Sequence, residues 1–286
     1  MSTPANPKHP VVVGVDESEQ SRHALRWAGH YAAAHRVPVR LVYAVEVPVE
    51  YGPGLVGALY DLERPREHGA ALVAAAAEEI AAIGDLTVST EVVVGSPAAV
   101  LRQHSRSARL VVVGSRGLGA LRRTLLGSVS TSIARHAECP VAIIPETAPP
   151  ADGAVVVGVD GSPCSVDAVG IAFEEAARRG VRLIAVHAWT EFFRYEARST
   201  MQAEGEVVLS ESLAGYAEKY PEVRVERVVV EERPAKALLA VSEGAQLVVV
   251  GSHGRGGFSG MTLGSVAQTV LHGTDRPLII ARPSTR

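Results

Sequence analysis

The chain carries the same segments twice, and that duplication restricts its fold more than any other feature. Val11-Val12-Val13-Gly14-Val15-Asp16 returns 144 positions later as Val155-Val156-Val157-Gly158-Val159-Asp160. Leu110-Val111-Val112-Val113-Gly114-Ser115-Arg116-Gly117 returns 137 positions later as Leu247-Val248-Val249-Val250-Gly251-Ser252-His253-Gly254. Two matches so far apart describe two copies of one domain, not a short-period solenoid. The 286 residues suit two domains of about 150 each. We place them at residues 1–146 and 154–286, joined by a Pro-stiffened linker at 147–153. The first copy is the longer, with extra residues near Val49–Pro65, a Gly/Pro-punctuated stretch that reads as a loop.

Within each copy, short apolar runs alternate with segments of helical period, the pattern of successive βαβ units. The expected class is therefore α/β: two tandem, doubly wound, parallel five-stranded sheets of Rossmann-like type. The expected strands are Val11–Val15, Val37–Val45, Val88–Val94, Leu110–Val113 and Val141–Ile144. Their counterparts are Val155–Val159, Val181–Ala188, Val223–Val230, Leu247–Val250 and Leu278–Ile280. Helices are expected at Ser18–Ala34, Pro65–Ile83, Pro97–Ser107 and from Gly127, then at Gly205–Tyr220, Pro234–Glu243 and from Gly264. Ser162-Pro163 supplies an N-cap and a proline at the first helical position. Ala24, Leu25, Trp27, Ala28, Tyr31 and Ala32 form an apolar stripe that places Trp27 in the core.

Charge and composition narrow the partners. A formal net charge of −3 gives no broad attraction to phosphate backbones or anionic lipid, so nucleic-acid and membrane partners are not expected. The two cysteines, Cys139 and Cys164, lack metal-ligand or CxxC spacing. No run approaches 18 apolar residues and the first ten residues have no apolar signal region, so a cytoplasmic protein is expected. Cys139 reads as a small buried hydrophobe, and His23, His30 and His35 as surface residues. Ala70–Ala82 is a helix-favouring run with a small packing face.

In open α/β sheets, ligands bind beyond the carboxyl ends of the strands where the strand order reverses. Both copies place the spacing G-x2-G-x9-G-S there: Gly114, Gly117, Gly127-Ser128 and Gly251, Gly254, Gly264-Ser265. Residues without a β-carbon let backbone N–H groups approach an anion, and a helix starting at Gly127 offers unpaired N–H groups. Ser128 and Ser130 add hydroxyl donors, and Arg116 a bidentate guanidinium. Glycines after a buried strand can also be mere turn residues, but turn formation would not preserve this spacing across diverged copies. Asp16 and Asp160 end the first strand of each copy. A carboxylate there suits either two ribose hydroxyls or a helix cap, and the residues alone leave both readings open.

These residues together resemble the universal stress proteins, in their tandem, ATP-binding form. The resemblance rests on Val-Gly-Val-Asp, Val-Val-Val-Gly-Ser, the glycine spacing and the Cys139-Pro140-Val141 and Arg276-Pro277-Leu278 endings, and spans about 9–145 and 153–283. It implies one ATP per domain, alone or with Mg2+, with adenine near the first two strands, ribose on the aspartate and phosphates on the glycine loop. The first site would comprise Gly14, Asp16, the backbone of Val45, Val113, Gly114, Arg116, Gly117, Gly127, Ser128, Val129 and Ser130. The second would comprise Gly158, Asp160, Ala188, Val250, Gly251, His253, Gly254, Gly264, Ser265 and Val266. It also implies a homodimer through pairing of the last strands, Val141–Ile144 with Leu278–Ile280 inside the chain.

The copies differ where charge matters. His253 replaces Arg116, leaving phosphate neutralisation to pH or to Arg255, whose counterpart is Leu118, and Ala267 replaces the Ser130 hydroxyl. The first site is therefore expected to bind more tightly. Trp189 is expected to border the adenine, and Cys164 to start a helix near the second site. The function implied is a nucleotide-dependent stress-response or signalling regulator. An ATP-hydrolysing or adenylate-transferring enzyme is the alternative, with thin support: the Walker spacing is absent and none of Lys8, Lys219 and Lys236 lies in a glycine loop. An interaction module with decayed sites does not explain glycine spacing kept in both copies.

Overall fold

A computed structural model describes residues 9–46, 62–117, 126–190, 197–256 and 262–283. The chain divides into two compact units, one of them Pro4–Glu146 and the other containing Thr147–Arg286. Leu118 and positions 49–61 of the predicted insertion lie outside the described residues.

The first unit runs β1 (Val11–Gly14), α1 (Glu19–His35), β2 (Val39–Val45), α2 (Glu63–Ala81), β3 (Val88–Val94), α3 (Pro97–Ser105), β4 (Leu110–Gly114), α4 (Ser128–His136) and β5 (Val141–Ile144). Its strands lie in the order β3-β2-β1-β4-β5, every neighbouring pair parallel. The order reverses between β1 and β4, so the crevice suited to a ligand opens at their carboxyl ends. Val11, Val13, Val111 and Val112 are fully buried, as central strands covered by helices on both faces require.

The second unit repeats the plan with β6 (Ala154–Gly158), α5 (Pro163–Arg179), β7 (Leu183–Trp189), α6 (Arg198–Leu213), α7 (Tyr216–Lys219), β8 (Val225–Glu231), α8 (Pro234–Ser242), β9 (Ala245–Gly251), α9 (Ser265–Gly273) and β10 (Leu278–Ala281). Its order is β8-β7-β6-β9-β10, again parallel, with the reversal between β6 and β9. Among the described residues, no helix is long and apolar enough to cross a membrane.

Two expectations are corrected, and the strand registers settle how the copies align. The helix expected over Gly205–Tyr220 starts at Arg198 and breaks after Leu213, because Gly215 adopts a left-handed φ of 78° before the short α7. Trp27 is half-buried rather than core, lying flat along Tyr31 with ring centroids 5.3 Å apart. The strand registers pair Val11 with Val39 and Val155 with Leu183, so the 144-residue offset persists through β2. Val45 therefore corresponds to Trp189, and Ala44 to Ala188.

The residues 147–153 anticipated as a linker are held by the second unit at their far end. The buried Gln246 donates through Nε2 to the carbonyls of Gly153, at 2.7 Å, and Ala151, at 3.4 Å.

Candidate functional site

The candidate site is built outward from the aspartate that follows the first strand of each copy. Asp16 Oδ1 accepts the Ser18 N–H at 2.9 Å and also the Ser18 hydroxyl, Ser18 Oγ accepts the Ser21 N–H at 3.1 Å, and Ser21 Oγ accepts the Asp16 N–H at 2.9 Å. Ser18 is thus the N-cap of α1, and the closed ring of hydrogen bonds fixes the carboxylate. The second copy repeats it: Ser162 N–H donates to Asp160 Oδ1 at 2.9 Å, Ser165 N–H to Ser162 Oγ at 3.3 Å, and Asp160 N–H to Ser165 Oγ at 3.4 Å. The helix-cap reading of the aspartate is therefore replaced by a cap on the serine two residues later. Asp-x-Ser-x-x-Ser, kept at both positions, was the signal in the sequence for these supporting residues.

With Oδ1 so occupied, Oδ2 faces the glycine loop. A β-carbon on Gly117 would fall 2.5 Å from Asp16 Oδ2, and one on Gly254 would collide with Asp160 Oδ2 in the same way. The motif's first glycine has a different task. A β-carbon on Gly114 would lie 2.8 Å from the backbone of Gln20, and one on Gly251 2.9 Å from that of Cys164, so these positions let the capped helix rest directly on the strand end. Cys164 itself is buried in the first turn of α5, its sulfur 3.7 Å from Ser252 Oγ.

The loop that follows closes on itself. Gly127 N–H donates to Ser115 O, and Gly264 N–H to Ser252 O, both at 2.8 Å. Gly127 and Gly264 are the extended N-caps of α4 and α9, so the first turns, at Ser128-Val129-Ser130 and Ser265-Val266-Ala267, present N–H groups without intrahelical acceptors. Ser128 and Ser265 are exposed there. Ser130 departs from expectation: it is 2% exposed, and its hydroxyl lies 2.9 Å from Ser115 O and 3.0 Å from Gly127 O. Its hydrogen is spent on the loop, not offered to a phosphate.

In the second unit a cleft of about 280 Å³ opens at this place, lined by Gly158, Asp160, Ala188, Val250, Gly251 and His253. Gly254, Gly264, Ser265 and Val266 complete its expected lining, and all ten sequence-predicted residues of the second copy are thereby brought together. Arg255 joins them. Its N–H donates to Asp160 Oδ2 at 2.9 Å, and its guanidinium would sit 2.6 Å from a β-carbon on Gly161. The Ser162 hydroxyl donates to His253 O at 3.3 Å, a second tie between the two loops. Burial pushes the Asp160 carboxyl up, but the hydrogen bonds from Ser162, Arg255 and Ser165 outweigh it and hold the group below its ordinary value.

In the first unit, Gly14 pairs with Val42 and Gly114 with Ile144, which puts Gly14, Val113 and Gly114 beside one another at the strand ends. Gly127 lies 3.4 Å, measured from its would-be β-carbon, from Arg116 Cα. Val45 does not fit its expected part. Val42 O accepts from Val15 N–H, so backbone groups at even positions of β2 face β1, whereas Val45 O faces β3 and accepts the Gly95 N–H at 2.9 Å. Ala44, the counterpart of Ala188, is the residue whose backbone points past the end of β1. By the same alternation Trp189, which is buried, turns its side chain to the sheet face opposite Ala188, away from the cleft. Burial, aided by Glu17 and Asp16, pushes the Tyr43 phenol up and keeps it neutral beside Asp16.

Comparison with known proteins agrees with the duplicated fold. The model of the universal stress protein family matches residues 8–145 and 153–282. Universal stress protein Rv2005c of Mycobacterium tuberculosis is 45% identical over 301 aligned residues, covering 99% of this chain and 100% of that protein. Universal stress protein Rv2623 of the same organism is 42% identical, with 96% of each chain covered. The crystal structure of a universal stress protein from Archaeoglobus fulgidus superimposes with a TM-score of 0.73 over 98% of this chain and 99% of that one, at 21% identity, a likeness of fold.

Proposed function

This chain belongs to the universal stress protein family, and from that premise we propose that each domain binds ATP and that the bound nucleotide regulates a stress response through conformation rather than turnover. The observation that carries the reading is the cleft of the second unit, in which all ten residues expected to hold a nucleotide converge. Its volume of about 280 Å³ is near the lower end of small-molecule sites.

The chemistry of the lining suits the parts of ATP. The Val186 and Ala188 side chains and the backbone at Ala188 would receive the adenine, Asp160 the ribose, and the Gly254 backbone with the first turn of α9 the phosphates. In the first unit Ala44, Asp16 and the Gly117 loop with the first turn of α4 would take the same parts. Mg2+ carried in with ATP would draw its ligands chiefly from phosphate oxygens and water.

The test is to denature freshly purified protein and count released nucleotide by chromatography. ATP approaching two per chain supports the reading; ADP or AMP alone favours an enzyme; no nucleotide, followed by no binding of added ATP, removes it. Homodimerisation belongs to the same proposal and is read by sedimentation, where twice 30.0 kDa supports it and the single-chain mass does not.

A further inference from the structure

Arg255 is tied at both of its ends to the turn that carries Asp160. Its N–H donates to Asp160 Oδ2 at 2.9 Å, so it reaches the carboxylate through its backbone and leaves its guanidinium to another anion. The side chain then folds back over the next residue of that turn. A β-carbon on Gly161 would stand 2.6 Å from Arg255 Nη2 and 3.4 Å from its Cζ, with Val208 Cγ1 of α6 also at 3.4 Å. Gly161 has a left-handed φ of 78°, so the turn and the seat of the guanidinium both call for a residue without a β-carbon. Arg255 lines the cleft and is exposed at its rim. The first turn of α9 packs elsewhere: the atoms nearest a β-carbon on Gly264 are Ser252 O, His253 Cα and Gly254 N, at 3.3, 3.4 and 3.7 Å.

Resting on the nucleotide-binding reading above, we propose that Arg255 fits the second cleft to adenine nucleotides phosphorylated on the ribose, at its 2′ or 3′ oxygen. Asp160 accepts one ribose hydroxyl, because a carboxylate oxygen that holds one N–H keeps a lone pair. It repels a phosphate on that same oxygen, which in any case has no proton left to donate. The phosphate therefore sits on the neighbouring oxygen, where the guanidinium takes two of its oxygens in the planar, bidentate pairing that arginine forms with phosphate. Dinucleotide sites use the same two side chains, a carboxylate for a free ribose hydroxyl and an arginine for a ribose phosphate. The 5′-phosphates stay with the first turn of α9. This moves Arg255 from the phosphate chain, its expected place, to the sugar. The seat on Gly161 already holds the side chain, so little of its freedom is lost on binding.

The experiment uses the full chain carrying Gly117→Ala, whose new β-carbon meets Asp16 Oδ2 and weakens the first cleft. AMP, ADP, adenosine 2′,5′-bisphosphate and adenosine 3′,5′-bisphosphate are titrated calorimetrically with and without Arg255→Gln, which keeps the backbone N–H to Asp160. ADP carries as many phosphates as either bisphosphate and so controls for charge alone. The expected result is one bisphosphate binding about ten-fold tighter than AMP, and that isomer names the oxygen facing Arg255. The advantage should vanish in Arg255→Gln, survive only in part in Arg255→Lys, and shrink at high salt. AMP and ADP should change by no more than about two-fold in either variant. Equal affinities for AMP and both bisphosphates, or a gain that survives Arg255→Gln, overturn the inference and leave nucleotide binding standing. A loss of ADP affinity as large as that of the bisphosphate assigns Arg255 to the 5′ chain and overturns it too. Failure of the wild-type chain to bind any of these nucleotides or ATP overturns the functional reading and this inference with it.

Discussion

Gly117 approaches Asp16 so closely that a β-carbon would fall 2.5 Å from the carboxylate Oδ2. The other oxygen is held by Ser18, so the carboxylate has no free rotation by which to yield. Gly117→Ala should therefore weaken ATP binding at the first cleft by about ten-fold or more, the loss of a hydrogen bond to a charged group. The thermal midpoint should stay within a few degrees of wild type, because the loop lies outside the core. Calorimetric titration with melting of the same sample checks both halves, and an unchanged isotherm would show that the carboxylate does not touch the ligand.

How much of this was legible in the sequence follows from what each residue reports. The parallel strands declared themselves because buried β4 and β9 need unbroken apolar runs, and the duplication fixed their pairing. The glycine spacing located the cleft. Backbone direction was not legible: whether Val45 or Ala44 faces β1 depends on strand register, which one residue's shift reverses. Ser130 could not be assigned either, since a hydroxyl at a helix start serves a ligand or its own loop equally well until the fold shows which acceptor lies nearer. Glu146, whose carboxylate lies 3.9 Å from Arg116 Nη2, was hidden for a related reason. It is 30 residues from Arg116 in sequence, and only the parallel pairing of β4 with β5 brings the two together.

The cap of α1 offers a test that separates folding from binding. Ser18 Oγ accepts the Ser21 N–H and also helps to hold Asp16. Ser18→Ala should cost about 1 kcal/mol of stability, typical of an N-cap, and should also loosen the carboxylate. Denaturant unfolding gives the first quantity and nucleotide titration the second. A stability loss with unaltered affinity would mean that Asp16 is held by the Ser18 N–H alone.

Asp160 adds a pH dependence whose sign can be stated. Its folded pKa lies below the ordinary 3.8, so the folded protein binds this proton more weakly than the unfolded chain does. The stabilisation is complete above the unfolded value and disappears as pH falls through the depressed folded one. Asp160→Asn should thus be less stable than wild type near neutrality, with the gap closing as pH falls below the ordinary 3.8 and through the depressed folded value. Unfolding midpoints across an acid series check this, and a gap independent of pH would rule out the carboxylate charge as its source.

The last prediction concerns three positions that the copies fill with different chemistry. In the first unit Tyr31, His35 and Arg109 cluster: the Tyr31 and His35 rings stack at 4.0 Å, Arg109 Nη2 lies 3.0 Å from His35 Nδ1, and Arg109 Nε donates to Tyr31 Oη at 3.4 Å. The same positions of the second unit hold Glu175, Arg179 and Gln246. Glu175 is 3% exposed and accepts two hydrogen bonds from Arg179, at 3.0 and 2.8 Å, while Arg179 Nη1 donates to Gln246 Oε1 at 3.0 Å. A buried carboxylate tolerates its site only with its partner, so Arg179→His alone, which copies one member of the first set, should cost about 3 kcal/mol. Adding Glu175→Tyr and Gln246→Arg removes the stranded charge and recreates the first unit's cluster, and should recover at least half of that loss. Unfolding midpoints of the single and triple variants decide it: no recovery in the triple variant would mean that the Gln246 contact to Gly153, rather than the Glu175–Arg179 pair, holds this corner together.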